Sequence, residues 1–93
     1  MPKFVVIVKG TLEGKKNIKE LKQRIVDMSN MFKAKDAKIL NAYAILGQYD
    51  YLFLTEAPNI ETAFELSTMI NSLGSFDCET CPVMALDELY NLI

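Results

Sequence analysis

The residues best placed to do chemistry in this 93-residue chain are Asp50 and the polar aromatics around it: Asn41, Tyr43, Tyr49 and Tyr51. A carboxylate in an apolar cavity is harder to ionise, and can exchange protons near neutral pH. The same aspartate beside Gly47 can instead cap a turn by accepting backbone N–H groups, which is a sufficient reason for it to be there. Tyr43, Tyr49 and Tyr51 can lie against a flat ligand, or serve as strand and interface aromatics with a satisfied hydroxyl. Asn41 can orient a ligand, or bond across an interface. Asn41, Tyr43, Tyr49 and Asp50 together are the candidate ligand-binding cavity. No catalytic residue is assigned. The chain has no histidine, so the commonest general base and the usual haem ligand are missing. Any catalyst would have to be Asp, Glu, Tyr, Lys or Cys.

Cys78-Glu79-Thr80-Cys81 has the spacing of a redox or metal pair. Redox pairs sit at helix N-termini, where the thiol pKa falls. Here the spacing lies in an expected strand, where residues three apart point to opposite faces. A zinc site would need two more ligands, and the chain has no other cysteine. Reduced thiols, no metal and no cofactor are expected.

These side chains must be positioned by regular elements. Lys3–Lys9 is a β-branched run without alternation, as in a strand covered on both faces. Thr11 is a helix cap. Ile18, Leu21, Ile25, Met28 and Phe32 make one apolar stripe, predicting a first helix from about Lys15 to Lys33, with Glu20 and Arg24 as an i,i+4 pair. Ala37–Leu46 and Gln48 or Tyr49 to Glu56 are two strands joined by a two-residue turn at Gly47-Gln48. Ala57-Pro58 stops the strand and Asn59 caps a second helix. Ala63, Leu66, Ile70 and Leu73 form its seam, and Gly74 ends it. Ser75–Met84 is a fourth strand, in which Pro82 implies a strand end or an edge. Asp87–Leu92 reads as a short terminal helix. The order β-α-β-β-α-β predicts an α+β, ferredoxin-like domain spanning residues 1–93. It has an antiparallel four-stranded sheet and two helices on one face.

The turn at Gly47-Gln48 pairs Leu46 with Tyr49. One sheet face then carries Leu40, Ala42, Ala44, Leu46, Tyr49, Tyr51 and Phe53. The other carries Ile39, Asn41, Tyr43, Ile45, Asp50, Leu52 and Leu54. Both sets are largely apolar, and two helices cover only one. A bare apolar face implies a partner, the simplest being a second copy packed sheet to sheet. The face with Asn41, Tyr43 and Asp50 is assigned to that contact.

Composition limits the other partners. All ten basic residues lie between Lys3 and Lys38, giving that part a net charge of +6; the remainder has eight acids and no base. If the halves interleave in one fold, the fields cancel, and with a net charge of -2 no nucleic-acid partner is expected. No apolar run approaches the roughly 20 residues that span a bilayer. Phe4–Val8 is too short for a signal peptide and lacks a cleavage site. A cytoplasmic protein without a membrane partner is expected.

In these residues the chain resembles the GYD domain family. Thr11-x-x-Gly14-x-x-Asn17-Ile18 opens the first helix as in that family. Gly47-Gln48-Tyr49-Asp50 matches its naming motif, and Glu56-Ala57-Pro58, Ser72-Leu73-Gly74 and Ala85-Leu86-Asp87-Glu88-Leu89-Tyr90 follow in order. The resemblance implies a dimeric α/β barrel, in which two such sheets close on each other, and implies no particular activity. The ligand-binding domain of Lrp/AsnC regulators has a similar Gly-x-Tyr-Asp hairpin, but the longer first helix and the C-terminal extension here favour the GYD family. The expected function is a small homo-oligomer that binds a small molecule or serves an interaction role. The alternative, by fold analogy, is a cofactor-free or substrate-assisted enzyme of the barrel superfamily, monooxygenase- or isomerase-like.

Overall fold

Four strands, β1 (Lys3–Gly10), β2 (Lys38–Ala44), β3 (Tyr51–Glu56) and β4 (Phe76–Val83), form one sheet in the order β2-β3-β1-β4. Every neighbouring pair is antiparallel. The computed structural model describes all residues from Met1 to Ile93. Four helices complete this α+β fold: α1 (Leu12–Lys16), α2 (Leu21–Ala34), α3 (Ile60–Ser72) and α4 (Leu86–Leu92). None is long and apolar enough to cross a membrane.

The core explains why the strands alternate in burial. Phe4, Val6 and Val8 of β1 and Phe53 and Thr55 of β3 are buried on one face. Met28 and Phe32 of α2 and Ala63, Leu66 and Ile70 of α3 join the same core, so both long helices cover this face. Thr55 is tolerated there because its hydroxyl donates to the Phe4 carbonyl at 3.0 Å. Lys35 of the basic half pairs with Glu65 on α3, the local form of the expected charge cancellation.

The first helix starts earlier than its stripe predicts and is broken. Thr11 caps α1 by accepting the Gly14 N–H. Asn17, at φ −109° and ψ 41°, then ends it, and a 3-10 turn over Ile18–Glu20 leads into α2. The reason lies at Gly14, which is buried against the Ser75 carbonyl so closely that a Cβ would stand 2.3 Å from the oxygen. α1 is aimed at that contact and α2 at the sheet, so the axis must change between them. Ile18 falls in the break and is 52% exposed instead of joining the stripe. Leu21, Ile25, Met28 and Phe32 pack as expected.

Helix ends follow local chemistry. α2 closes with the Ala37 N–H bonded to Phe32 O and the Asp36 N–H to Lys33 O. Asp36 sits at φ 57°, the left-handed position usually given to glycine. Asn59 caps α3 by accepting the Thr62 N–H at 2.8 Å, and Gly74 takes φ 83° after its end. Leu73, expected in the α3 seam, is 54% exposed. Pro82 lies in β4, an edge strand.

The connection between β2 and β3 is wider than a two-residue turn. Regular pairing stops at Ala44–Tyr51, and the loop closes with the Ile45 N–H donating to Asp50 O at 2.8 Å. The register is still the expected one from Asn41 to Ala44. A bulge between Ile39 and Asn41 then shifts it, so Ile39 opposes Thr55 and packs against the core instead of sharing the face of Asn41. Leu46, expected on the core side, is fully exposed in the loop.

Candidate functional site

The sheet face opposite α2 and α3 is crossed by three rows of side chains fixed by strand register. Asn41, Leu54, Val5 and Cys81 make one row, and Tyr43, Leu52, Ile7 and Glu79 the next. Lys38, Glu56, Lys3 and Val83 flank them. The centre is therefore aliphatic, with Val5, Ile7, Leu52 and Leu54 half-buried by their neighbours alone. The rim is polar.

Of the four candidate residues, three gather on this face. Asn41 and Tyr43 stand on the edge strand β2, both exposed. Tyr49, expected on the core side, instead donates its hydroxyl hydrogen to Glu79 Oε1 at 3.2 Å. Glu79 belongs to β4, two strands from β3, so the tyrosine must lie across β1 on the helix-free side. Its pKa is raised, first by the charge of Glu79 and then by that hydrogen bond. At neutral pH this phenol is a neutral donor and acceptor. The row across the sheet thus offers two phenol groups, a carboxamide and a carboxylate over an aliphatic floor, a set suited to recognising an amphipathic molecule.

Asp50 is turned away from these groups. Its Oδ2 accepts the Gly10 N–H at 2.8 Å and lies 3.7 Å from Lys15 Nζ. Its own backbone N–H donates to Val8 O. The carboxylate ties the β2–β3 loop to the end of β1 and to α1; the N–H it accepts belongs to Gly10, 40 positions away, and not to its own turn beside Gly47. Tyr51 faces the core, edge-on to Phe76 with ring centroids 6.1 Å apart.

Glu79 and Cys81 were not singled out as ligand-facing by the sequence. The alternation Asp77, Glu79, Cys81, Val83 marks them as sharing one face, but which face requires the pairing of β4 with β1. Cys78 opposes Val8 on the core side and Cys81 opposes Val5 on the open side. The two free sulfurs therefore lie on opposite faces. Burial pushes the Cys78 thiol pKa up, and its sulfur contacts Ser67 Oγ at 3.5 Å. No three His, Cys, Asp or Glu side chains are grouped so as to hold a metal ion.

The concave sites lie elsewhere. A cleft of about 140 Å³ between α3 and β4 is lined by Phe4, Ala63, Phe64, Ser67 and Thr80 among others, a volume comparable to that of a benzene-sized cavity. A larger one of about 280 Å³ runs from the N-terminus to the root of α4. Neither includes a candidate residue. In a single copy the candidate face is a platform without walls.

Comparison with known proteins agrees with the motif order. Searches of curated proteins and of solved structures gave no match. The family model described as GYD domain matches residues 4–93, essentially the whole chain from the second residue of β1 through α4. The chain belongs to the GYD domain family.

Proposed function

We propose that this chain has the ferredoxin-like arrangement and acts as a cytoplasmic homodimer, a dimeric α/β barrel paired through the helix-free sheet face. The enclosed face binds a small amphipathic molecule. The observation that carries this reading is the aliphatic centre of Val5, Ile7, Leu52 and Leu54, which no element of the chain covers. Four strands about 4.8 Å apart and a strand of eight residues give a face on the order of 500 Å². Its aliphatic centre is an exposed apolar patch rimmed by polar residues, the pattern of an interaction surface. A second copy supplies the walls that the platform lacks, and Asn41, Tyr43 and Tyr49 then line the rim of a closed space.

Catalysis is the weaker alternative. The one carboxylate of the candidate set, Asp50, is held by Gly10 and Lys15, and the Tyr49 phenol holds its proton more firmly than usual. The Asp50 carboxylate is engaged in holding the fold, and the Tyr49 phenol is not poised as a general base.

Light scattering at micromolar concentration tests the pairing. The unmodified chain is expected to be dimeric, and Leu52→Asp to give monomers or aggregates. A soluble monomer of the unmodified chain would falsify the reading. A thermal-shift screen of metabolites tests the ligand, since binding raises apparent stability. Tyr43→Ala and Asn41→Ala are expected to remove a shift that Asp50→Asn keeps.

A further inference from the structure

We propose that α4 is an arm that grips a second copy of this chain on the lysine-rich shoulder formed by α1 and the following 3-10 turn. Every residue of α4 is exposed. Leu86, Leu89, Tyr90 and Ile93 are 63%, 41%, 60% and 94% exposed. Their spacing of i, i+3, i+4 and i+7 places them on one stripe of the helix and its cap. A seven-residue helix is not stable alone in water, where isolated helices below about 12 residues are marginal. The family match runs through it, so α4 is part of the domain. It needs something to pack on.

The chain carries a surface of matching chemistry. Leu12 and Ile18 are 72% and 52% exposed, and the exposed Lys16 and Lys19 neighbour them in the chain, while Lys15 is turned to Asp50. α4 brings an apolar stripe with Asp87 and Glu88 in its first turn and no basic residue. Apolar meets apolar, and acid meets lysine. The two surfaces cannot meet within one copy. α4 leaves the sheet where Val83 pairs with Lys3, and α1 leaves it beyond Gly10, which pairs with Phe76. The intervening strand is about 27 Å long, whereas the arm spans only about 10 Å.

Two copies facing each other with their strands running oppositely would bring each arm over the other's shoulder, an exchange closed by twofold symmetry. The area also calls for it. A stable pair buries about 800 Å² on each partner, and the sheet face offers on the order of 500 Å². Each copy gives one arm and receives another. Two helix footprints of roughly 10 by 10 Å add on the order of 200 Å².

The proposal rests on the sheet-to-sheet dimer, and full-length point variants separate the two. The dimer dissociation constant is measured by sedimentation equilibrium, with far-UV circular dichroism to confirm folding. Leu89→Asp is expected to raise the constant by about fivefold or more. Asp87→Lys with Glu88→Lys should weaken the dimer at low ionic strength, as should Lys16→Glu with Lys19→Glu, and the four changes together should restore it. A smaller effect of Leu89→Asp, or charge reversals that add instead of compensating, overturns the arm. If Leu52→Asp dissociates the dimer while the arm variants do not, the sheet pairing stands without the arm. The reverse pattern rejects the sheet pairing, and with it the exchange of arms that depends on it.

Discussion

Replacing Gly14 by alanine reverses the ordinary rule for helices. In α1 the substitution should gain about 1 kcal/mol from helix propensity. The contact with β4 decides otherwise. The new Cβ would lie 2.3 Å from Ser75 O and 3.2 Å from Ser75 C. Ordinary contact begins at 3.4 Å, so the helix and the start of β4 must part by about 1 Å, a displacement close-packed interiors resist. Overpacking of this kind costs about 1–3 kcal/mol. The same displacement strains the Thr11 N–H bond to Ser75 O (3.1 Å) and the Thr11 hydroxyl bond to Gly74 O (2.7 Å), worth about 1 kcal/mol each. After the propensity gain, the net loss is about 2–4 kcal/mol. At about 4–8 °C per kcal/mol for a domain of this size, Tm should fall by about 8–32 °C. Thermal unfolding followed by circular dichroism measures it, with Lys22→Ala on the exposed face of α2 as the control, expected to stay within about 0.5 kcal/mol. A Gly14→Ala protein as stable as the unmodified one, or more so, would refute the steric argument.

Other expected outcomes concern local sites. Asp36→Gly should stabilise the protein by about 0.5–1 kcal/mol in urea unfolding, because glycine takes φ 57° without the cost a side chain brings; an unchanged midpoint would mean that the aspartate is already at ease there. Asp50→Ala should cost about 1–2 kcal/mol by losing the acceptor for Gly10 N–H, and Asp50→Asn, which keeps an acceptor, less than about 1 kcal/mol; equal losses would discount the hydrogen bond. With a disulfide reagent at mildly alkaline pH, Cys78 should react slowly, because burial disfavours its thiolate, and in Leu52→Asp, where the sheet face is opened, Cys81 should be the faster of the two; two equal rates in that variant would contradict this. The raised Cys78 pKa means that the folded state holds its proton longer than the unfolded chain. Its contribution to stability is therefore complete below the ordinary thiol pKa of 9.0 and declines as pH rises through the folded value. Unfolding midpoints should fall above pH 9 less steeply in Cys78→Ala.

Much of the fold is legible in residue patterns because its signals are local. Asn59 and Gly74 mark the two ends of α3 through cap chemistry that depends on neighbours a few positions away. The pairing of Asn41 with Leu54 follows from a turn whose register survives even though its tip is wider. The failures are non-local. Ile18 has helical spacing, but it is exposed because Gly14 must meet Ser75, a residue 61 positions later. Ile39 changes face at a bulge that period-two reasoning cannot foresee. Tyr49 lies on the open side because Glu79 is there to receive it, and that depends on β1 lying between β3 and β4. Asn41 and Tyr43 were assigned to the open face from register alone, and the sheet places them there.

The bulge near Leu40 also bears on how copies of this chain avoid polymerising. The sheet has two free borders, β2 and β4, and an unpaired strand border is a template on which further strands can add without limit. Both borders are interrupted. On β2 the register shift between Ile39 and Asn41 breaks the even ladder that an incoming strand would need. On β4, Pro82 has no N–H to offer. Open-ended growth into ribbons is thereby penalised at each margin, while the broad aliphatic surface remains free. A chain so built is guarded against edge-to-edge growth into fibrils.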